Sequence, residues 1–207
     1  MLVSLLVILL VCVHYSLYRY KWCIYYMLGL VAPSRVHNQI FISYRRNDAG
    51  GHARHLYEQL CSRFDHQLIF FDLDKIESAD VFSDKLHDAV TQCSVLLALI
   101  ASDWLNARNA DGSRRLDDPD DYVHQEIALA LKNGKIVIPV LLGDVPMPQA
   151  SYLPEPLKPL SVRNADRLRV GERTSMYKTD VDRLARLLAT FPNIPPPKRW
   201  FLYRTLL

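Results

Sequence analysis

The stretch Ile40–Arg46 joins a short apolar run to side chains that can bind an anion. The apolar residues predict a buried strand, and in an open α/β sheet ligands bind just beyond the carboxyl ends of the strands. The polar residues expected at that edge are Ser43, Tyr44, Arg45 and Arg46. Two guanidiniums beside an aromatic ring suit a ligand that carries both a phosphate and a base. The alternative is that both arginines form ion pairs with nearby acids such as Asp48 or Glu58.

Further polar and aromatic residues are expected near the same edge. One group follows the second predicted strand and consists of Asp72, Lys75 and Glu77. Another is Glu126, one turn into the helix after the third strand, which shares a helix face with Tyr122 four residues earlier. Trp104, just after the third strand, could also stack on a ring. A ring one turn from a carboxylate, close to cations, could hold a nucleoside.

Two structural alternatives apply to these acids. Glu126 could be a first-turn acid that the helix dipole favours. Asp72 and Lys75 could form a structural ion pair.

The elements that would position these residues alternate between strands and helices. Strands are predicted over 39–43, 67–71, 94–100 and 135–142, with a weak fifth strand near Ser161–Val162 or later. Helices are predicted over 49–64, 81–91, 122–132 and 177–190. The third of these helices is capped by Asp120 or Asp121 and ended by Asn133-Gly134. Its packed face is expected to carry Val123, Ile127 and Ala130. This alternation predicts a three-layer α/β fold of the flavodoxin-like kind, with a five-stranded parallel sheet in the order 2-1-3-4-5.

The composition is that of a globular protein, with 50% hydrophobic and 23% charged residues and a formal net charge of +3. No run of lysine and arginine with interleaved aromatics marks a nucleic-acid-binding face, so we expect no nucleic acid partner. The four cysteines, Cys12, Cys23, Cys61 and Cys93, are scattered without CxxC spacing. We therefore predict neither a metal site nor a disulfide framework.

The N-terminal residues 1–18 are predominantly apolar, and Arg19 and Lys21 follow among tyrosine and tryptophan residues. Eighteen helical residues reach about 27 Å, barely the thickness of the hydrocarbon core. Because each mid-membrane cation would cost about 2.5–3.5 kcal/mol, the span is expected to stop at Tyr18. Positive charge follows the span, which predicts a membrane anchor with the main domain in the cytoplasm.

Two alternatives apply to this N-terminal segment. A cleaved signal peptide is disfavoured because the segment has no basic start and no small-residue cleavage site. A start codon downstream of residues 1–35 would instead leave a cytoplasmic protein. We expect an anchor and linker over 1–35, the main domain over 36–191, and a proline-rich, basic-aromatic tail over 192–207.

Four pieces of the main domain, in order, resemble the Toll/interleukin-1 receptor (TIR) domain family, of the kind common in bacteria. They are Phe-Ile-Ser-Tyr-Arg-Arg (41–46), Phe-Phe-Asp-Leu-Asp-Lys-Ile-Glu (70–77), Tyr-Val-His-Gln-Glu-Ile (122–127) and Lys-Ile-Val-Ile-Pro-Val-Leu-Leu (135–142). The resemblance covers residues from about 38 to 190. The chain departs from the family at Tyr122, which is usually Trp, and at Ser78-Ala79-Asp80, which usually contains a small or glycine hinge.

The resemblance implies an enzyme that uses NAD⁺ as a substrate and needs no cofactor. Family members with this glutamate cleave NAD⁺ between nicotinamide and ribose, and some make ADP-ribose while others make cyclised products. The catalytic role falls on Glu126, and Ser43, Arg46 and Glu77 are weaker carry-overs. The resemblance also implies self-association through the loop 74–80, and a role in bacterial signalling or defence against phage.

Three other functions compete with this one. A non-catalytic adaptor that acts through TIR–TIR association is favoured by Tyr122 in place of Trp. A phosphoacceptor receiver domain would need acids after the first strand, where this chain has Arg45 and Arg46. A nucleoside deoxyribosyltransferase shares the layout and a glutamate nucleophile, but the stretch 41–46 argues against it.

Overall fold

The sheet is built from the most apolar runs of the sequence. In the computed structural model, which describes residues 39–71, 87–171, 174–191 and 193–198, the strands are β1 Ile40–Ser43, β2 Ile69–Phe70, β3 Val95–Ile100, β4 Ile136–Leu142 and β5 Asp166–Leu168. They are parallel and lie in the order β2-β1-β3-β4-β5. Every residue of the central strand β3 is buried, as expected for a strand covered on both faces. The predicted strand order is confirmed.

Within the described ranges, four α-helices lie between and after these strands. They are α1 Arg46–Cys61, α2, described over residues 87–92, α3 Tyr122–Lys132 and α4 Thr174–Leu188. The predicted bounds of α3 are confirmed, and Gly134 follows its end with φ 65°, a left-handed conformation that glycine adopts without strain. Helix α1 begins three residues earlier than predicted, directly after Arg45.

The helices cover the two faces of the sheet. On one face α1 packs against α4, and the rings of His55 and Tyr177 stack at 4.6 Å. The other face carries α2, α3 and a 3₁₀-helix at Glu155–Val162, whose apolar residues share one core with Phe41, Leu96 and Trp104. This arrangement confirms the predicted three-layer fold.

The fifth strand occupies the later of its two predicted positions. Residues Ser161–Val162 belong to the 3₁₀-helix, so a strand there is wrong, and β5 follows at Asp166–Leu168. Pro156 and Pro159 lie within that helix. Because proline fixes φ near −65° and offers no N–H, it suits a tight helical turn better than a paired strand.

Several predicted segments cannot be compared with the structure. The predicted anchor 1–35, the loop 74–80, the first part of the predicted helix 81–91 and the end of the tail lie outside the described residues. Over the part of the chain that the structure does describe, none of the helices has the length and apolar character needed to traverse a bilayer.

Candidate active site

The end of β1 directs its side chains to two different sides of the sheet, because successive strand residues alternate. Phe41 stacks on Phe70 at 4.9 Å and belongs to the core on the α3 side. Tyr44 faces the opposite side and lies 5.3 Å from the ring of Phe71, which in turn stacks on Tyr57 of α1. By this alternation Ser43, which is 1% exposed, points to the α3 side with Phe41.

Arg45 is buried between the end of β1 and the start of α3. Its side chain is 3% exposed. Nε donates to the carbonyl oxygen of Trp104 at 3.1 Å, and Nη1 donates to Oδ2 of Asp121 at 2.9 Å. The guanidinium therefore connects the first strand, the turn after β3 and the N-terminus of α3.

Asp121 is the N-cap of α3 and the acceptor for this cation. Its Oδ1 accepts from the backbone N–H of His124 at 3.1 Å, which satisfies one of the unpaired donors of the first turn. Its Oδ2 also pairs with Nη2 of Arg115 at 3.0 Å, and the Asp121 side chain is 1% exposed. His124 is fixed further by the contact between its Nδ1 and the carbonyl oxygen of Leu116 at 2.8 Å. One carboxylate thus holds two arginines and a helix terminus.

Glu126 lies one turn further along α3 and is 1% exposed. Val123, Ile127 and Ala130 are buried on the same helix, so Glu126 lies inside the packed side of α3 and not on a separate exposed face. Tyr122 is partly buried against the same core. Because α3 contacts both β1 and β3, the glutamate stands on the side of the sheet to which Ser43 and Arg45 point.

Three buried donors on this side have no hydrogen-bond partner among the described residues. They are Ser43 Oγ, Arg45 Nη2 and Trp104 Nε1. Buried polar groups are normally paired, and each exception needs an explanation. For Ser43 Oγ and Trp104 Nε1 a polar ligand atom is one such explanation, and both groups lie in the elements that also position Glu126.

A cleft of about 730 Å³ borders the same helix. It runs between α2, α3 and the 3₁₀-helix, and Ala128, Leu129 and Lys132 line it. A step of about 100° per residue turns Ala128 and Lys132 to the side of α3 away from Val123 and Ile127. Glu126 also contributes to the lining, so this residue borders both the buried polar side and the cleft.

The remaining predicted site residues differ in burial, and three of them lie outside the described residues. Trp104 is 1% exposed and packs in the core, while Arg46 is exposed as the first residue of α1. Asp72, Lys75 and Glu77 lie outside the described residues. The roles of all these side chains toward a ligand stay predictions.

The alternative pairing of the arginines with Asp48 or Glu58 is wrong for Arg45, whose acid is Asp121. Asp48 instead accepts from the backbone N–H of Asp103 at 3.1 Å, and Glu58 pairs with Arg54 at 3.4 Å. The sequence predicted Asp120 or Asp121 as the cap of α3, and the cap is Asp121. Its ion pairs with Arg45 and Arg115 were missed. No local signal connects residues 76 positions apart.

Comparison with known proteins identifies the family of this chain. A sequence model described as "TIR domain" matches residues 40–174. The chain is 27% identical over 157 residues to a Drosophila melanogaster protein named NAD(+) hydrolase sarm1, a match that spans 75% of this chain and 10% of that protein. It therefore corresponds to about a tenth of that relative's length.

Solved structures resemble the fold at low sequence identity. The TIR domains of the activated Roq1 resistosome, which directly recognises the pathogen effector XopQ, match with a TM-score of 0.50 and 14% identity, over 71% of this chain and 96% of that one. A Clostridium botulinum CMP N-glycosidase, BcmB, matches with a TM-score of 0.40 and 16% identity, over 70% of this chain and 98% of that one. With the family match over 40–174 and the observed sheet order, the chain belongs to the TIR domain family.

Proposed function

We propose that this protein is an NAD⁺ nucleosidase that cleaves the bond between nicotinamide and ribose, giving nicotinamide and ADP-ribose or a cyclised product. The observation that carries the proposal is the position of Glu126, a buried carboxylate on the side of the sheet to which Ser43 and Arg45 point. The similarity to a protein named NAD(+) hydrolase supports it.

The chemistry suits a fixed carboxylate. When the glycosidic bond breaks, its electron pair goes to the pyridinium nitrogen, nicotinamide leaves neutral, and positive charge develops on the ribose. A carboxylate beside the ribose stabilises that charge and can hold the sugar hydroxyls. Water then adds through its oxygen and releases a proton, or a nitrogen of the adenine adds in its place and gives a cyclised product.

The other side chains supply binding. Arg46 is exposed beside the end of β1 and suits the pyrophosphate. Tyr122, one turn before Glu126, suits a ring of the substrate. Asp72, Lys75 and Glu77 are proposed as further substrate contacts.

The test is nicotinamide release by the purified chain and by Glu126→Gln. We expect the amide to lower the rate by about 10²–10⁴-fold, because it keeps the shape of the side chain and removes its charge. Glu58→Gln is a matched control, since Glu58 is exposed on α1 and its partner is the exposed Arg54. Equal rates for wild type and Glu126→Gln would contradict the proposal.

The second candidate function is an adaptor that acts through TIR–TIR contacts, which Tyr122 in place of the usual Trp favours. NAD⁺ turnover is measured per subunit over a range of protein concentrations. A rate that rises with concentration supports an active site completed by self-association, and a constant rate for a proven monomer removes that part of the proposal. Assembled protein that releases no nicotinamide would favour the adaptor.

Location and biological use complete the proposal. We place the TIR domain in the cytoplasm, joined to a membrane through residues 1–35, and assign it to signalling or defence through NAD⁺ depletion. Fractionation of cells that express the full chain and a version lacking residues 1–35 tests the anchor.

A further inference from the structure

We infer that Arg45 and Asp121 are positioning residues that hold Glu126 in place, and that Arg45 does not bind the substrate. The inference rests on the proposed NAD⁺ cleavage and assigns different tasks to two neighbouring arginines. Arg45 is buried with a 3% exposed side chain, whereas Arg46 is exposed. Arg46 is open to solvent and accessible to a phosphate, while Arg45 would first have to leave the interior.

The bonds of Arg45 point to a mechanical role. Its guanidinium bonds the Trp104 carbonyl at 3.1 Å and the Asp121 carboxylate at 2.9 Å. These two acceptors belong to the turn after β3 and to the cap of α3. The rigid, planar fork of arginine therefore fixes the start of α3 relative to the end of β1 at two points.

Asp121 transmits this constraint to the helix. It accepts from the His124 amide through Oδ1, and its backbone oxygen accepts from the Gln125 amide at 2.9 Å. Glu126 is the next residue, and a helix is stiff over so short a distance. A shift of the cap consequently becomes a shift of the Glu126 carboxylate.

Burial of this ion pair gains little stability of its own. Removing two charges from water costs several kcal/mol per ion, and the attraction between them often only offsets that cost. Buried ion pairs are in some proteins retained because they specify one geometry. Here the geometry specified is that of the helix that bears Glu126, and a misplacement of about 1 Å at a reacting centre can lower a rate by about 10²-fold.

The experiment compares Arg45→Lys with Arg46→Gln on two substrates, NAD⁺ and nicotinamide riboside, which lacks the pyrophosphate. Arg45→Lys keeps the charge but cannot bond both acceptors in the same fork, so we expect kcat to fall about 10–100-fold on both substrates. KM should stay within about threefold. Arg46→Gln should raise KM for NAD⁺ several-fold and leave KM for the riboside unchanged. Arg54→Gln, an exposed change on α1, is the control for surface charge.

Two outcomes would overturn the inference. One is an Arg45→Lys variant in which KM rises for NAD⁺ but not for the riboside, because that pattern is expected of a residue that binds the pyrophosphate. The other is an unchanged kcat.

The double variant Arg45→Gln/Asp121→Asn, which pairs two amides and leaves no buried charge alone, should recover folding and part of kcat if Asp121→Asn alone is damaged.

Amide hydrogen exchange gives a readout that needs no turnover. Arg45→Lys should speed exchange at the His124 and Gln125 amides at least several-fold, while Arg46→Gln should leave it unchanged. If the wild-type protein cleaves neither substrate, the proposed function fails, and exchange still tests the positioning. Unchanged exchange in Arg45→Lys would then overturn the inference.

Discussion

Two buried aspartates have similar surroundings at different places along the sheet: Asp121 lies beside the ends of β1 and β3, and Asp180 lies beside the end of β5. Each has a side chain that is 1% exposed, and each is bound by two arginines. Asp180 on α4 accepts from the side chain of Arg169 at 2.8 and 2.9 Å, from its backbone N–H at 3.0 Å, and from Arg183 at 3.0 Å. These bonds tie α4 to the residue that follows β5.

The two clusters differ in how deeply their arginines are buried. Arg169 and Arg183 have side chains that are 36% and 47% exposed, so water solvates part of each charge. Arg45 at Asp121 is 3% exposed, and its Nη2 has no hydrogen-bond partner among the described residues. The Asp180 cluster is thus a satisfied structural tie, whereas the Asp121 cluster keeps a buried cation at the N-cap of α3, the helix that carries Glu126.

The largest effect on stability is expected for Asp121→Ala. The change leaves Arg45 buried without its counter-ion and removes the N-cap of α3, so the free energy of unfolding should fall by about 3–5 kcal/mol. Asp180→Ala should cost less, because its two arginines can turn toward water. Urea unfolding of both variants measures the two losses. Equal losses would remove the contrast between the clusters.

An effect of intermediate size is expected at low pH, where the Asp180 cluster should lose part of its contribution to the free energy of unfolding. The side chain of Arg169 bonds Asp180 and lowers the pKa of its carboxyl from the ordinary 3.8 to about 2. A pKa depressed on folding contributes stability that is present above about pH 4 and is lost as the pH falls through 2, here about 2 kcal/mol. Urea unfolding at pH 6, 4 and 2 should show this loss in the wild type and a smaller one in Asp180→Asn. An identical slope in both would contradict the assignment.

The smallest effect is expected for an exposed ion pair, which sets the scale for the other two. Arg54 and Glu58 pair at 3.4 Å with side chains 63% and 59% exposed. Glu58→Gln should change the free energy of unfolding by no more than about 0.5 kcal/mol. A loss as large as that of Asp180→Ala would show that burial does not decide the ranking.

The elements that were predicted correctly are those whose positions depend on neighbouring residues in the sequence. The apolar runs of β3 and β4 and the cap and glycine that bound α3 are local signals, and each lies within a residue of its predicted position. The 3₁₀-helix at Glu155–Val162 was missed, since its two prolines suit a loop as well as a tight helix.

Contacts between distant segments were beyond such reasoning. The types of Arg45 and Asp121 are compatible with many partners, and only the fold brings them together. Glu126 was predicted as the central carboxylate, but its burial with Val123 and Ile127 depends on how α3 packs against the sheet.

The central claim is that the carboxylate of Glu126 splits a dinucleotide. The most direct measurement is nicotinamide released from NAD⁺ by the purified, assembled chain, with Glu126→Gln at the same concentration and with matched unfolding midpoints. The account predicts release by the wild type and a rate about 10²–10⁴-fold lower in the variant. Release at the same rate by both proteins would contradict it.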